Sequence, residues 1–125
     1  MFANQDAMAT IAVKDIEAAR QFYGQTLGLI PLESGQEGVL SYRSGKAVLL
    51  VYVSQFAGTN QATSATWSVG NDFDSVMAAL RAKGVVFERY DMPGMSFKDG
   101  VHATGDFRGA WFKDPDGNVL HVLNQ

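Results

Sequence analysis

One pattern is written twice in this chain, and a duplicated strand–helix–strand unit leaves few folds open. Residues 8–13, Met-Ala-Thr-Ile-Ala-Val, read as a short strand. Asp15 then takes an N-cap position, where its carboxylate can accept from the free amides of the first helical turn. Ile16, Ala19, Tyr23 and Leu27 follow at helical spacing with Phe22 beside them, and Gly28 is placed to close the helix in a left-handed conformation. The second copy begins at 64–69, Ser-Ala-Thr-Trp-Ser-Val, with Asp72 in the cap position. Phe73, Val76, Met77 and Leu80 form its apolar stripe, and Gly84 closes it. Asp15 precedes Gly28 by 13 residues and Asp72 precedes Gly84 by 12.

Each helix is followed by strand-like segments. The first leads to 29–33, 39–43 and 47–53, with a hairpin turn expected at Ser44-Gly45. The second leads to 85–88, 108–112 and 118–123, the last two joined by the turn-forming run Asp114-Pro115-Asp116-Gly117. The expectation is an α+β fold of two βαβββ modules, about 7–53 and 64–125, in one domain spanning 1–125. The polar stretch 54–63 reads as the connection between them. Residues 91–107 fit no regular element and read either as a lid or as a surface excursion.

Composition narrows the partners. The net charge is −3 with no basic run, which argues against nucleic acid. The apolar run 47–53 is too short to cross a bilayer, and the opening residues lack the pattern of a signal peptide, so a cytoplasmic location is expected. With no cysteine, thiolate nucleophiles and cysteine metal sites are excluded.

The run Ile11-Ala12-Val13-Lys14-Asp15-Ile16-Glu17-Ala18-Ala19-Arg20-Gln21-Phe22-Tyr23, followed by Leu27-Gly28-Leu29, resembles the opening of glyoxalase/bleomycin-resistance (vicinal oxygen chelate) proteins. Trp111-Phe112-Lys113-Asp114-Pro115-Asp116-Gly117-Asn118 resembles their final hairpin. The resemblance implies modules whose curved mixed sheets surround a cavity. In the metal enzymes of that superfamily, a divalent ion there is held from the first and fourth strands of each module and acts as a Lewis acid. Carried over residue by residue, those positions fall on Met8, on Leu49 or Leu50, on Ala65 and on His121. One imidazole is too few for a catalytic ion, which needs about three protein ligands. The expectation is therefore no metal and no other cofactor.

The implied pocket has an apolar and aromatic floor of Met8, Leu49 or Leu50, Trp67 and Val69, although the same side chains could equally fill a closed core. Tyr52, Tyr90, Asp106 and Arg108 could add polar contacts, and Arg108 could instead pair with Asp106 or Asp91. His121 lies in an otherwise apolar strand, where imidazole is either a hydrogen-bonded core residue or a ligand anchor and proton-transfer group. His102 lies in the long loop, away from the expected site. The leading expectation is a metal-independent protein that binds a small hydrophobic or aromatic molecule through Met8, Leu50, Tyr52, Trp67, Val69, Arg108 and His121. The alternatives are a metal-free isomerase or lyase using His121 as acid and base, a metal-dependent lyase or dioxygenase with displaced ligands, and an interaction subunit with a filled cavity. A homodimer is expected, since two-fold pairing is the commonest way to assemble such chains.

Overall fold

The computed structural model describes residues 1–33 and 35–125. The chain divides into two compact units, 1–59 and 60–125. No helix among the described residues is long and apolar enough to cross a membrane.

The first unit is a four-stranded sheet of β1 (Ala9–Val13), β2 (Ile30–Leu32), β3 (Val39–Ser44) and β4 (Ala47–Val53), in the order β1-β4-β3-β2. β1 runs parallel to β4, and the other pairs are antiparallel. Pro31 lies in β2 at the sheet edge, where its missing N–H breaks no ladder. One sheet face carries Ile11, Val13, Leu40, Tyr42, Leu49 and Val51, all buried with Ala19, Phe22 and Tyr23 of the helical segment. Asp15 caps α1 (Ile16–Arg20), accepting from the N–H groups of Glu17 and Ala18 at 3.1 and 3.0 Å.

The α-helix does not run on to Gly28 as its periodicity suggests. Residues 21–26 widen into a π-helical turn, in which the Leu27 N–H reaches back to the Phe22 carbonyl at 2.9 Å. Adjacent residues Phe22 and Tyr23 are both buried there. Gly28 has φ +70°, so the left-handed closure occurs where expected. The hairpin between β3 and β4 turns at Gly45-Lys46, one residue later than expected, because Gly45 supplies the positive φ (+60°) at the first turn position.

The second unit holds β5 (Thr63–Ser68), α2 (Phe73–Ala82), β6 (Ser96–Lys98), β7 (Val101–Thr104), β8 (Phe107–Lys113) and β9 (Val119–Leu123). Its sheet order is β5-β9-β8-β7-β6, again with the first strand parallel to the last. Ala110, Phe112, Leu120 and Val122 are buried, as are Phe73, Met77 and Leu80 of α2. Arg108 reaches Asp74 and lies over the Phe73 ring, which puts α2 on the face that Arg108 shares with Ala110 and Phe112.

Asp72 differs from Asp15. It ends a 3₁₀ turn (Gly70–Asp72) with φ −83° and ψ 3°, not in extended geometry, and its carboxylate makes no capping bond. Its carbonyl instead accepts from the Ser75 hydroxyl at 2.8 Å. Asp15→Ala should therefore cost about 1 kcal/mol and Asp72→Ala less than about 0.5 kcal/mol. Urea denaturation of the two variants checks the asymmetry, and equal losses would contradict it.

The second strand of this module is interrupted. Its expected position, 85–88, yields a single bridge, Phe87 to Phe112, with the Glu88 N–H donating to the Trp111 carbonyl at 2.7 Å. The ladder along β8 then resumes with His102 opposite Gly109, Ala103 opposite Arg108 and Thr104 opposite Phe107. Residues 89–100 are thus an excursion within one strand position. Much of what reads as an irregular loop is the β6–β7 hairpin, whose Asp99-Gly100 turn has φ +51° and +82°, as a type I′ turn requires.

Candidate functional site

In a strand, side chains alternate between faces, and residues paired across strands share one. This rule sorts the candidate residues. On β9, His121 pairs with Trp111 of β8 and Thr66 of β5. Trp67 pairs with Val122 and Ala65 with Leu120, so both lie on the α2 face, opposite His121. The register overturns the expectation that Trp67 shares His121's face. A shift between Thr63 and Ala65 changes which residues of β5 oppose β9. Val69 ends the strand, its N–H bonded to the Leu123 carbonyl, and leads into the helix.

Arg108 also faces α2, pairing with Asp74 at 2.7 Å rather than with Asp106 or Asp91. The guanidinium lowers the pKa of the Asp74 carboxyl, first by its hydrogen bond and then by its charge. Asp106 lies in the β7–β8 turn, its carbonyl accepting from the Asn124 amide. In the first unit, Leu49 is buried in the helix-side core, while Leu50 pairs with Thr10 and Ser41 on the other face. Tyr52 shares that face, paired with Ala12 and Val39. Met8 immediately precedes β1, and both it and Tyr52 are exposed.

Around His121 the second unit gathers Trp111, Phe107, Phe97 and Thr63, which sequence reasoning left out of the site, together with His102 and Tyr90. The His121 imidazole stacks on the Trp111 ring at a centroid distance of 4.0 Å and an angle of 9°, with Phe107 at 6.5 Å. Trp111 also meets His102, edge-on at 5.1 Å. His102 also meets Phe97 at 4.7 Å and lies near-parallel to Tyr90 at 6.2 Å. Its Nε2 is 3.0 Å from the Tyr90 N–H and 3.1 Å from the Tyr90 carbonyl. The expectation that His102 stands apart from the site is therefore not met. As a β7 residue opposite Gly109, it belongs to the same face as Trp111 and His121. The Trp111 indole N–H donates to the Thr63 hydroxyl at 3.2 Å.

Both imidazoles are buried, His102 at 1% exposure and His121 at 8%. Each keeps one nitrogen with no hydrogen-bond partner: Nδ1 of His102 and Nε2 of His121. Gly109 makes room for the second ring. A Cβ there would sit 2.8 Å from His121 Nε2 and 2.9 Å from Phe107 Cζ.

Burial, with electrostatic repulsion from nearby His102 as a smaller cause, holds the His121 imidazole below its ordinary value. As pH falls below about 6.5, the unfolded chain takes up a proton that folded His121 still refuses. The stability from this group is therefore complete above about pH 6.5 and is lost as pH falls through the lower folded-state value. His121→Gln should flatten the dependence of unfolding free energy on pH below about 6.5. Chemical denaturation across that range measures it, and an unchanged slope would assign the titration to another group.

The sequence matches the family described as the Glyoxalase/Bleomycin resistance protein/Dioxygenase superfamily over residues 6–122. The chain belongs to this superfamily. Solved structures with the same fold include a glyoxalase family protein from Enterococcus faecalis, at 21% identity and TM-score 0.73, covering 98% of this chain and 99% of that one. The fosfomycin resistance protein FosX from Mesorhizobium loti matches at 13% identity and TM-score 0.69, covering 100% and 94%. Lactoylglutathione lyase from Agrobacterium tumefaciens matches at 16% identity and TM-score 0.69, covering 96% and 90%. No curated protein matches the sequence. At these identities the structures establish the glyoxalase/bleomycin-resistance fold, and the chemistry rests on the residues themselves.

The divalent ion of the superfamily's metal enzymes does not fit the donors present. His121's cross-strand neighbours are Trp111 and Thr66, neither of them an imidazole or a carboxylate. Among the described residues, no group of three or more His, Cys, Asp or Glu side chains lies together to hold such an ion.

Proposed function

We propose that this superfamily member is a metal-independent small-molecule-binding protein that takes a flat apolar or aromatic compound beside Trp111 and His121. The observation that carries this reading is the stacked Trp111–His121 pair, which combines aromatic surface with a buried imidazole nitrogen left unpartnered. Aromatic faces hold planar ligands by area burial and offset stacking, and a few placed polar atoms orient them. Within the first unit, Leu50 and Tyr52 share one side of the sheet and Met8 immediately precedes β1, and these three are proposed as ligand contacts of that unit by itself. Homodimer formation in the cytoplasm is part of the same proposal. Light scattering should give about twice the 13.5 kDa chain mass.

The test is binding read at Trp111 alone, in a Trp67→Phe background. Indole or naphthalene should shift its fluorescence saturably, whereas zinc, nickel, manganese and iron should leave both fluorescence and Tm unchanged. Micromolar binding of one of these ions, lost in His121→Ala, would overturn metal independence.

A second reading has a specific observation behind it. An imidazole held neutral by burial, with Nε2 free, is placed to take a proton from a bound substrate, as in a metal-free isomerase or lyase. With a turned-over substrate, His121→Gln would then reduce kcat far more than it weakens binding.

A further inference from the structure

We propose that His102 and His121 act together as one polar subsite, which recognises an uncharged ligand group able to both donate and accept a hydrogen bond, such as a phenolic hydroxyl or a carboxamide. This rests on the aromatic-site reading above and adds to it the chemistry of the recognised group. Three observations converge. Both side chains are more than nine-tenths buried, and each has one nitrogen without a partner. Such atoms are costly in a folded chain and mark a place where a partner belongs. Both rings contact Trp111, one face-on and the other edge-on. Gly109 lies directly opposite His102, and a Cβ there would press to 2.8 Å on His121 Nε2, so this one glycine borders both rings.

A groove borders the ring contacts of His102 on the same unit. Its volume is about 360 Å³, and it is lined by Arg89, Tyr90, Met92, Met95 and Phe97, among others. Tyr90 and Phe97 are both walls of this groove and ring contacts of His102.

Charge decides against an anion. The groove mouth carries Arg89, stacked over Phe97, and Asp91, which offset one another. Arg108 is on the opposite sheet face, held by Asp74. Among the described residues no Lys or Arg is paired with either imidazole, and a buried carboxylate without a cation is strongly disfavoured. Each ring has one nitrogen left for a ligand: with His102 Nε2 accepting from the Tyr90 N–H, its Nδ1 is the donor, and His121 Nε2 can serve as the acceptor, a pair that suits a hydroxyl or an amide.

The experiment is a titration of the ¹⁵N-labelled wild-type chain with phenol and benzamide, alongside toluene and benzoate. Long-range ¹H–¹⁵N spectra would follow the imidazole nitrogens, and the Trp111 ring protons would be followed in parallel. Phenol and benzamide should move the nitrogens of both histidines with one shared Kd, toluene should move neither, and benzoate should bind about tenfold more weakly than benzamide. Movement at His121 alone, or benzoate binding as well as benzamide, overturns the shared neutral subsite. If toluene and phenol perturb Trp111 equally with no imidazole response, the subsite fails while the aromatic site stands. If no probe perturbs Trp111, both fail. Gly109→Ala, whose methyl would displace the His121 ring, should weaken phenol and benzamide about tenfold or more. The wild-type titration decides even where that variant does not fold.

Discussion

Phe112→Ala is expected to cost about 3–5 kcal/mol, the largest loss from any single truncation considered for this chain. Phe112 is 2% exposed and lies on the sheet face that packs against α2. It also has a second role that its burial alone does not convey. It is the residue to which Phe87 bridges, with the two rings edge to face at 6.0 Å. Truncation removes core volume and also loosens the point where the chain returns from α2 to the sheet. The loss should appear as a lowered urea midpoint. Phe112→Leu, which keeps most of the volume, should recover more than half of it. A loss under about 1 kcal/mol for the alanine variant would mean that the α2 face is not the core of the second unit.

Asp114→Ala should cost about 2–4 kcal/mol, through hydrogen bonds rather than packing. The buried carboxylate closes the β8–β9 turn by accepting from the N–H groups of Asp116 and Asn118, at 3.0 and 2.9 Å, and from the Asn118 side-chain amide at 2.8 Å. Alanine leaves these donors without their acceptor, in part inside the protein. Asp114→Asn keeps one acceptor oxygen and should retain the Oδ1 bonds to the two backbone N–H groups, at a smaller cost. Because this turn fixes which residues of β8 and β9 face one another, the alanine variant should also weaken the Trp111–His121 stack. A change in Trp111 fluorescence in the folded variant would report this, and an unaltered spectrum would separate the turn from the site.

The duplicated pattern made the architecture legible, because apolar spacing and closing glycines report what local backbone geometry demands. Asp15 and Asp72 show the limit of such reading. Both stand before an apolar stripe, but only Asp15 has the extended backbone that lets a carboxylate reach the free amides. Asp99-Gly100 carried a usable signal for a two-residue hairpin, obscured by the short strands on either side and the irregular stretch before them. The site was harder to read. The final turn alone sets Lys113 opposite Val119 and hence Trp111 opposite His121, so this pair was within reach of the sequence. The face of Trp67 was not, since a shift in β5 register reverses it and leaves no mark in residue type. His102 was missed because its approach to Trp111 depends on where the interrupted strand resumes, which is a tertiary matter.

That interruption has a consequence for how this chain can change over generations. The strand leaves the sheet after Glu88, beside Trp111, and returns to it at β7, so the excursion begins and ends at neighbouring points on one partner strand. Residues added or lost between Glu88 and β6 leave the pairing of β7, β8 and β9 in place, because the two ends of the excursion stay where they are. The same segment supplies Tyr90 and Phe97, the rings that wall the groove and touch His102. Drift in length and composition is thus channelled into the one stretch that borders the proposed pocket. A lineage descended from this chain could exchange its preferred compound by rewriting that stretch while inheriting the scaffold unchanged.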